Sequence, residues 1–183
     1  MAATTTHMMT VEEFSRLPKD NGPVYHELRH GEIVPVTRPI LKHQIIQRRL
    51  CRYLEPLAPA GSYLAYEVPF RPLPEFELRV ADVAWVSPER WAATDLENYV
   101  RGAPDLVIEV LSPSNSVTEM NEREQLCLEN GAKEFWVVDP KRCQVKVPTP
   151  DGITRTWKAG QEIPLPLFGD KRLPVDAIFA PGT

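Results

Sequence analysis

Three ionisable residues sit where the sequence is otherwise apolar. Glu109 lies in Leu106-Val-Ile-Glu-Val-Leu111, where every neighbour is a hydrocarbon side chain. A carboxylate carried into such a strand is costly unless it is paired or binds a metal. Asp82 opens a second apolar run, Asp82-Val-Ala-Trp-Val86. Taken singly, Glu109 reads as a structural ion pair or a water-facing edge position, and Asp82 as a strand-end aspartate. Taken together they say more. Adjacent strands would bring two like charges to one point, where an intervening cation relieves the repulsion. A hard divalent ion such as Mg²⁺ (or Mn²⁺) suits that oxygen-rich setting.

Arg123 is the third member. Met120, Arg123, Leu126 and Cys127 recur at spacings of three and four, so they share one helical face that is otherwise apolar. Either the guanidinium meets an acid in the core, with Glu109 the expected partner, or its stem packs inside while its head reaches water. Glu27, in Val24-Tyr-His-Glu-Leu28, either approaches the same pocket or is an exposed strand residue. His43 and Gln47 are one turn apart, on the side of Ile46 and Leu50, and either flank a pocket or lie at a helix surface. Arg48, Arg49 and Arg52 form a basic cluster that either contacts nucleic-acid phosphate or is a solvated face. Ser112 and Ser114 have no apparent base beside them and are not read as nucleophiles. No phosphate-cradling glycine loop, dinucleotide fingerprint or zinc spacing is present.

The elements that must position these groups follow from periodicity and punctuation. Thr10-Val-Glu-Glu-Phe14 predicts a short helix with a Thr10/Glu13 capping box, broken by Asp20-Asn-Gly-Pro23. Val24 to Leu28 and Glu32 to Val36 predict a hairpin around His30-Gly31. Ile46, Leu50, Tyr53, Leu54 and Leu57 mark the apolar face of a helix over 42–57. Tyr63 to Phe70, Arg79 to Val86 and Leu106 to Leu111 read as strands, the last of them central because it is apolar on both faces. Pro88 to Val100 is a polar excursion with room for a helical turn. A helix over 117–130 and a strand over 135–138 complete a crossover to a parallel neighbour. Cys143 to Val147 and Ile153 to Trp157 predict a hairpin across Pro150-Asp-Gly152, and the proline-rich remainder predicts one short edge strand and a tail. The expected class is α/β: a mixed β-sheet flanked by helices, with an N-terminal hairpin and helix.

The whole composition sets limits. The 183 residues suit an N-terminal tail over 1–10 and a single domain over 11–183, large enough to fold without disulfides. Hydrophobic residues are 43% and charged residues 25%, an ordinary globular balance. The 19 prolines fall between apolar runs, so they punctuate loops. Cys51, Cys127 and Cys143 form no CxxC pair and read as buried thiols in a reducing compartment. A net charge of −4 argues against a protein that coats nucleic acid by bulk electrostatics, though a local basic surface around an acidic pocket stays open. Met1 to Thr10 lacks a signal-peptide pattern, and no apolar run approaches membrane-spanning length. A soluble, cytoplasmic protein is expected, with no membrane partner.

Several runs in fixed order carry a resemblance. They are Tyr25-His-Glu-Leu-Arg-His-Gly-Glu-Ile-Val34, His43, Val80-Ala-Asp-Val-Ala84, Ala103-Pro-Asp-Leu-Val-Ile-Glu-Val-Leu-Ser-Pro-Ser114 and Gly131-Ala-Lys-Glu-Phe-Trp-Val-Val-Asp-Pro140. The chain, from about Val11 to Phe179, resembles a large bacterial family of putative restriction endonucleases within the PD-(D/E)XK nuclease superfamily. The resemblance implies a restriction-endonuclease-like fold and Mg²⁺-dependent hydrolysis of phosphodiester bonds in DNA. It implies that Asp82 and Glu109 match the metal-binding acids, that the Val110 carbonyl matches the third metal contact, and that Glu27 matches an acidic position of the first hairpin. A homodimer follows by analogy alone. Two departures stand out. Leu111 occupies the place where most of the superfamily has lysine, and Arg123 matches the position on the following helix to which the family has moved that lysine. Ala81 stands where proline commonly precedes the aspartate. Arginine keeps the charge but cannot act as a base near neutral pH. Two other functions therefore remain beside the endonuclease: a catalytically impaired nuclease-like module that binds nucleic acid or a protein partner, and a metal-free core held by an internal acid–arginine bridge.

Overall fold

The computed structural model describes residues 7–18, 22, 24–113 and 115–180. The expected helix-breaking run Asp20 to Pro23, apart from Gly22, and Ser114 lie outside the described residues. Helix α1 (Val11–Ser15) starts on the capping box: the Glu13 N–H donates to the Thr10 hydroxyl, and the Glu13 carboxylate accepts the Thr10 N–H at 2.8 Å. Strands β1 (Val24–Arg29) and β2 (Glu32–Thr37) form the expected hairpin. Its two turn residues, His30 and Gly31, have φ of 50° and 73°, the left-handed pair that a two-residue hairpin turn demands. This hairpin is a separate sheet, tied to the rest where Leu28 and Leu78 exchange backbone hydrogen bonds of 3.0 and 2.9 Å.

Helix α2 (Leu41–Leu54) and a 3₁₀ turn (Glu55–Leu57) lead to β3 (Tyr63–Arg71) and β4 (Arg79–Val86). Then come α3 (Pro88–Ala92), β5 (Val100–Arg101), β6 (Leu106–Val110), α4 (Val117–Glu129) and β7 (Glu134–Asp139). The chain continues through β8 (Gln144–Pro148), β9 (Thr154–Lys158), β10 (Glu162–Leu165), β11 (Lys171–Pro174) and α5 (Val175–Phe179). Seven strands make one mixed sheet in the order β5-β3-β4-β6-β7-β8-β9. β6 is its middle strand, as its continuous apolar run requires, and α4 is the crossover to the parallel β7.

Both faces of the sheet are covered. On one, Val83, Trp85, Ile108 and Trp136 pack against Ile46, Leu50 and Leu54 of α2 and against Ile163, Leu173 and Ile178 near the C-terminus. On the other, Val107, Phe135 and Val137 pack against Met120 and Cys127 of α4. Two expectations need correction. The C-terminal segment is a hairpin, β10–β11, followed by α5, and it closes the α2 face; prolines 164, 166 and 174 conceal that Ile163, Leu165, Leu173, Val175 and Ile178 are buried anchors. Tyr53 is 41% exposed, because Leu54 takes the core position at that turn of α2.

Candidate active site

The sheet forks at Asp82. β4 pairs with β6 from Trp85↔Leu106 to Val83↔Ile108 and then stops, one step before Asp82 would face Glu109. The Val110 N–H turns instead to the Asp82 side chain and donates to Oδ2 at 2.7 Å. On the other flank, the register Tyr66↔Val83 and Val68↔Ala81 puts Glu67 beside Asp82, and Glu67 has φ of 53°, a left-handed conformation unusual for glutamate. The alternation of β4 breaks at the same point. Val83 belongs to the α2 face and Ala81 to the α4 face, although residues two apart normally share a face.

Helix α2 supplies the second set of contacts. Gln47 Nε2 donates to Asp82 Oδ1 at 3.0 Å. His43 Nε2 lies 2.9 Å from Asp82 Oδ2 but off the line of a hydrogen bond. The sequence left open whether both flank a pocket or lie at the helix surface; both reach the aspartate, whose side chain stays 20% exposed. Glu109 is only 7% exposed. Burial pushes its carboxyl up to about 8; Arg123 opposes that and the like charge of Asp82 adds to it.

Arg123 points inward from α4. Its Nη1 donates to Glu109 Oε1 and to the Val80 carbonyl, both at 2.9 Å, and its Nη2 donates to both Glu27 oxygens at 2.7 Å. Burial disfavours the guanidinium charge, but Glu109 and Glu27 outweigh it and hold the arginine well above its ordinary value. Glu27 has no exposure, so it is not the solvent-facing strand residue. It also accepts the Val80 N–H at 2.9 Å and Arg29 Nε at 3.0 Å. Burial pushes its carboxyl up, but Arg123, the Val80 N–H and Arg29 together hold it below the usual glutamate value. Leu111, two residues beyond Glu109, packs on the α4 face, so the nearby positive charge comes from the helix.

This cluster is larger than the sequence suggested. Arg79, 2% exposed, donates from Nε to Glu77 Oε2 at 2.7 Å and from Nη2 to Glu122 at 3.1 Å. Glu77, fully buried, accepts the His30 N–H at 2.7 Å. The alternation Phe76-Glu77-Leu78-Arg79 reads as a half-exposed strand; only the N-terminal hairpin and α4, folded over it, make its charged side internal. Arg48 and Arg52 are exposed on α2, outside this gathering. A different guanidinium lies near Asp82. An open cleft of ≈ 200 Å³ is lined by Tyr25, Arg38, Glu67, Val80 and Asp82. Arg38 stands 5.9 Å over the Tyr25 ring and donates to the Gly22 carbonyl at 2.9 Å.

The donor set agrees with a hard cation. Among the described residues no group of three His, Cys, Asp or Glu forms a ready-made metal cage. Mg²⁺ does not require one, since it keeps several waters and binds through one or two carboxylates. Asp82 and Glu109 supply two carboxylates, and the charge of Asp82 adds to the upward push on Glu109. In an extended residue the N–H and C=O leave the same edge of the strand, so the Val110 carbonyl shares the edge whose N–H meets Asp82.

The family described as Uma2, putative restriction endonuclease, matches residues 11–175. Among solved structures, the chain is similar to one described as a putative nuclease belonging to DUF820, from Anabaena variabilis ATCC 29413. The two are 24% identical with a TM-score of 0.74, over 94% of this chain and 98% of the other. At that identity the likeness speaks for the fold: the mixed seven-stranded sheet with its flanking helices is the fold of that neighbour. No curated protein matches the chain.

Proposed function

The chain belongs to the Uma2 family of putative restriction endonucleases, and on that premise we propose that it is a Mg²⁺-dependent endonuclease that hydrolyses phosphodiester bonds in DNA in the bacterial cytoplasm. The observation that carries this reading is the fork of the sheet, which frees Asp82 from strand pairing and turns it toward an open cleft beside the strand of Glu109. Asp82, Glu109 and the Val110 carbonyl would hold the ion. When bound, Mg²⁺ supplies Lewis acidity that makes water a better nucleophile and neutralises charge on the phosphate.

The rest is work for the chain's own side chains. Gln47 and the Val110 N–H fix the orientation of Asp82 from two sides. Arg123, whose Nη groups are committed to Glu27, Glu109 and the Val80 carbonyl, acts by its permanent charge alone on the negative charge that develops on the phosphoryl oxygens, and it does not exchange protons. Arg38, at the wall of the cleft, is placed to take a backbone phosphate, with Tyr25 as its support. His43, Arg48 and Arg52 would extend that contact along α2. No helix of the described residues is long and apolar enough to cross a membrane, and the cysteines are free, which suits a reducing compartment. A homodimer, by analogy, would present two such sites to a duplex.

The test is nicking of supercoiled plasmid by purified protein with Mg²⁺ or Mn²⁺, beside calorimetric titration of Mn²⁺. Asp82→Asn and Glu109→Gln are each expected to abolish nicking and weaken Mn²⁺ binding. Cutting at the parental rate by both variants would assign the activity to a contaminant. One observation favours a second reading. Glu109 is already committed to Arg123 at 2.9 Å, which suits a nuclease-like module that binds nucleic acid or a protein without cutting it. Absence of Mn²⁺ binding would select it.

A further inference from the structure

A second cleft, of ≈ 320 Å³, opens at the opposite end of β7 from the Asp82 fork. Glu134 begins β7 across from Leu106, whereas Glu109 faces Val137 three residues on, about 10 Å along the strand. The cleft lies between the β8–β9 hairpin and the β10–β11 hairpin, and Glu134, Arg155, Trp157, Lys171 and Arg172 are among its walls. The register explains the grouping. Arg155 and Trp157 alternate onto one face of β9, opposite Val147 and Val145, and that face is the one covered by the C-terminal segment.

Its chemistry is mixed. Glu134 is 6% exposed, and its side chain holds one hydrogen bond among the described residues, the Trp136 indole N–H at 2.8 Å to Oε2. No cation pairs with it there, and burial pushes its carboxyl above the usual glutamate value. Arg155 and Arg172 are exposed and have no ion pair among the described residues, and Lys171 donates to the Leu57 carbonyl at 2.6 Å. The Lys171 ammonium is held at Leu57, so the two guanidinium groups and the buried acid Glu134 share the cleft with the exposed Asp170, without an ion pair among them in the described residues. A single ligand can answer both if it carries an anionic group at one end, a hydrogen-bond donor at the other and a flat apolar body between them for Trp157. Its size is at the small-ligand end, since such pockets run to about 300–1,000 Å³.

We propose that this cleft binds a nucleotide: phosphate against Arg155 and Arg172, base against Trp157, and the exocyclic amino group of the base donating to Glu134. The ligand is either a free mononucleotide or one nucleotide of a strand. The site is separate from the Asp82 fork and does not depend on cleavage there.

The experiment titrates full-length Asp82→Asn protein calorimetrically with AMP, TMP, inorganic phosphate and a short deoxyadenylate strand. AMP binding with quenched tryptophan fluorescence, tighter than TMP or phosphate, is expected for the free-nucleotide source. Binding of the strand without AMP assigns the strand source. Arg155→Ala and Arg172→Ala alter exposed residues, so they fold, and each is expected to weaken binding about tenfold through one lost charge-assisted contact. Glu134→Gln keeps an acceptor for Trp136 but turns a donor toward the base, so the AMP-over-TMP preference should shrink. Failure of AMP and the strand to bind overturns the proposal. So does equal affinity for AMP and TMP, or parental binding by Arg172→Ala.

Discussion

Arg123 Nη2 stands 2.7 Å from each oxygen of Glu27, a residue 96 positions earlier in the chain. The same guanidinium reaches Glu109 through Nη1. One cation therefore joins the N-terminal hairpin, the middle strand and the crossover helix, and none of the three side chains is more than 11% exposed.

Removing that cation should be costly. Arg123→Met would leave Glu109 buried without its cation and Glu27 with Arg29 and the Val80 N–H as its remaining hydrogen-bond donors, and a loss of about 3–5 kcal/mol of unfolding free energy is expected. Arg123→Lys keeps the charge but gives up the two-pronged grip on Glu27, so it should lose less. Urea unfolding of the two variants measures both. If arginine has slowed a competent site, the lysine variant should also nick plasmid faster than the parent. An unchanged rate in a protein that binds Mn²⁺ would place Arg123 outside the chemistry.

Glu27 should appear in the acid limb of stability. Its folded carboxyl is held below the usual glutamate value, so the unfolded chain takes up its proton first as pH falls. The contribution is fully present above the unfolded value near 4.5 and is lost as pH falls through the lowered folded value. Unfolding free energies across pH 3 to about 6 should rise less steeply for Glu27→Gln than for the parent. Parallel curves would mean that Glu27 titrates alike in both states.

Arg38 should matter for DNA and not for folding. It is exposed, so Arg38→Ala should change stability by less than about 0.5 kcal/mol. If it contacts a phosphate in the cleft, DNA affinity should fall and the slope of log K against log salt should become shallower by about 0.9. Filter binding of Asp82→Asn protein over a salt series reads both. The paired change Arg48→Ala with Arg52→Ala tests the α2 surface in the same way.

The hairpin turn offers a check on the fold itself. A Cβ at Gly31 would stand 2.7 Å from Met8 Cβ, and its φ of 73° disfavours any side chain. Gly31→Ala should cost about 1–3 kcal/mol. Thermal unfolding should register it as a fall in Tm of about 2–4 °C for each kcal/mol.

How much of this was legible beforehand differs by residue. Asp82 and Glu109 announced themselves because a charge inside an apolar run is expensive wherever the strand goes, and Arg123 did so through its neighbours at helical spacing. The middle position of β6 and the crossover through α4 followed from hydrophobic pattern, which is local. Glu27 was marked only as one of two alternatives, and Glu77 and Arg79 gave no such sign. They stand in strands that alternate or face a hairpin, and such a side chain is wet or dry according to what is laid over it. The N-terminal hairpin and α4 cover them, and those lie up to 96 residues away in sequence. The same reason hid the C-terminal hairpin, where prolines mask anchors that only the α2 face makes useful. The sequence alone marked Asp82, Glu109 and Arg123 as charges that would need partners if buried. The tertiary structure chose the partners, because burial depends on the elements that meet in space and hydrogen bonds on the few ångströms at which they meet.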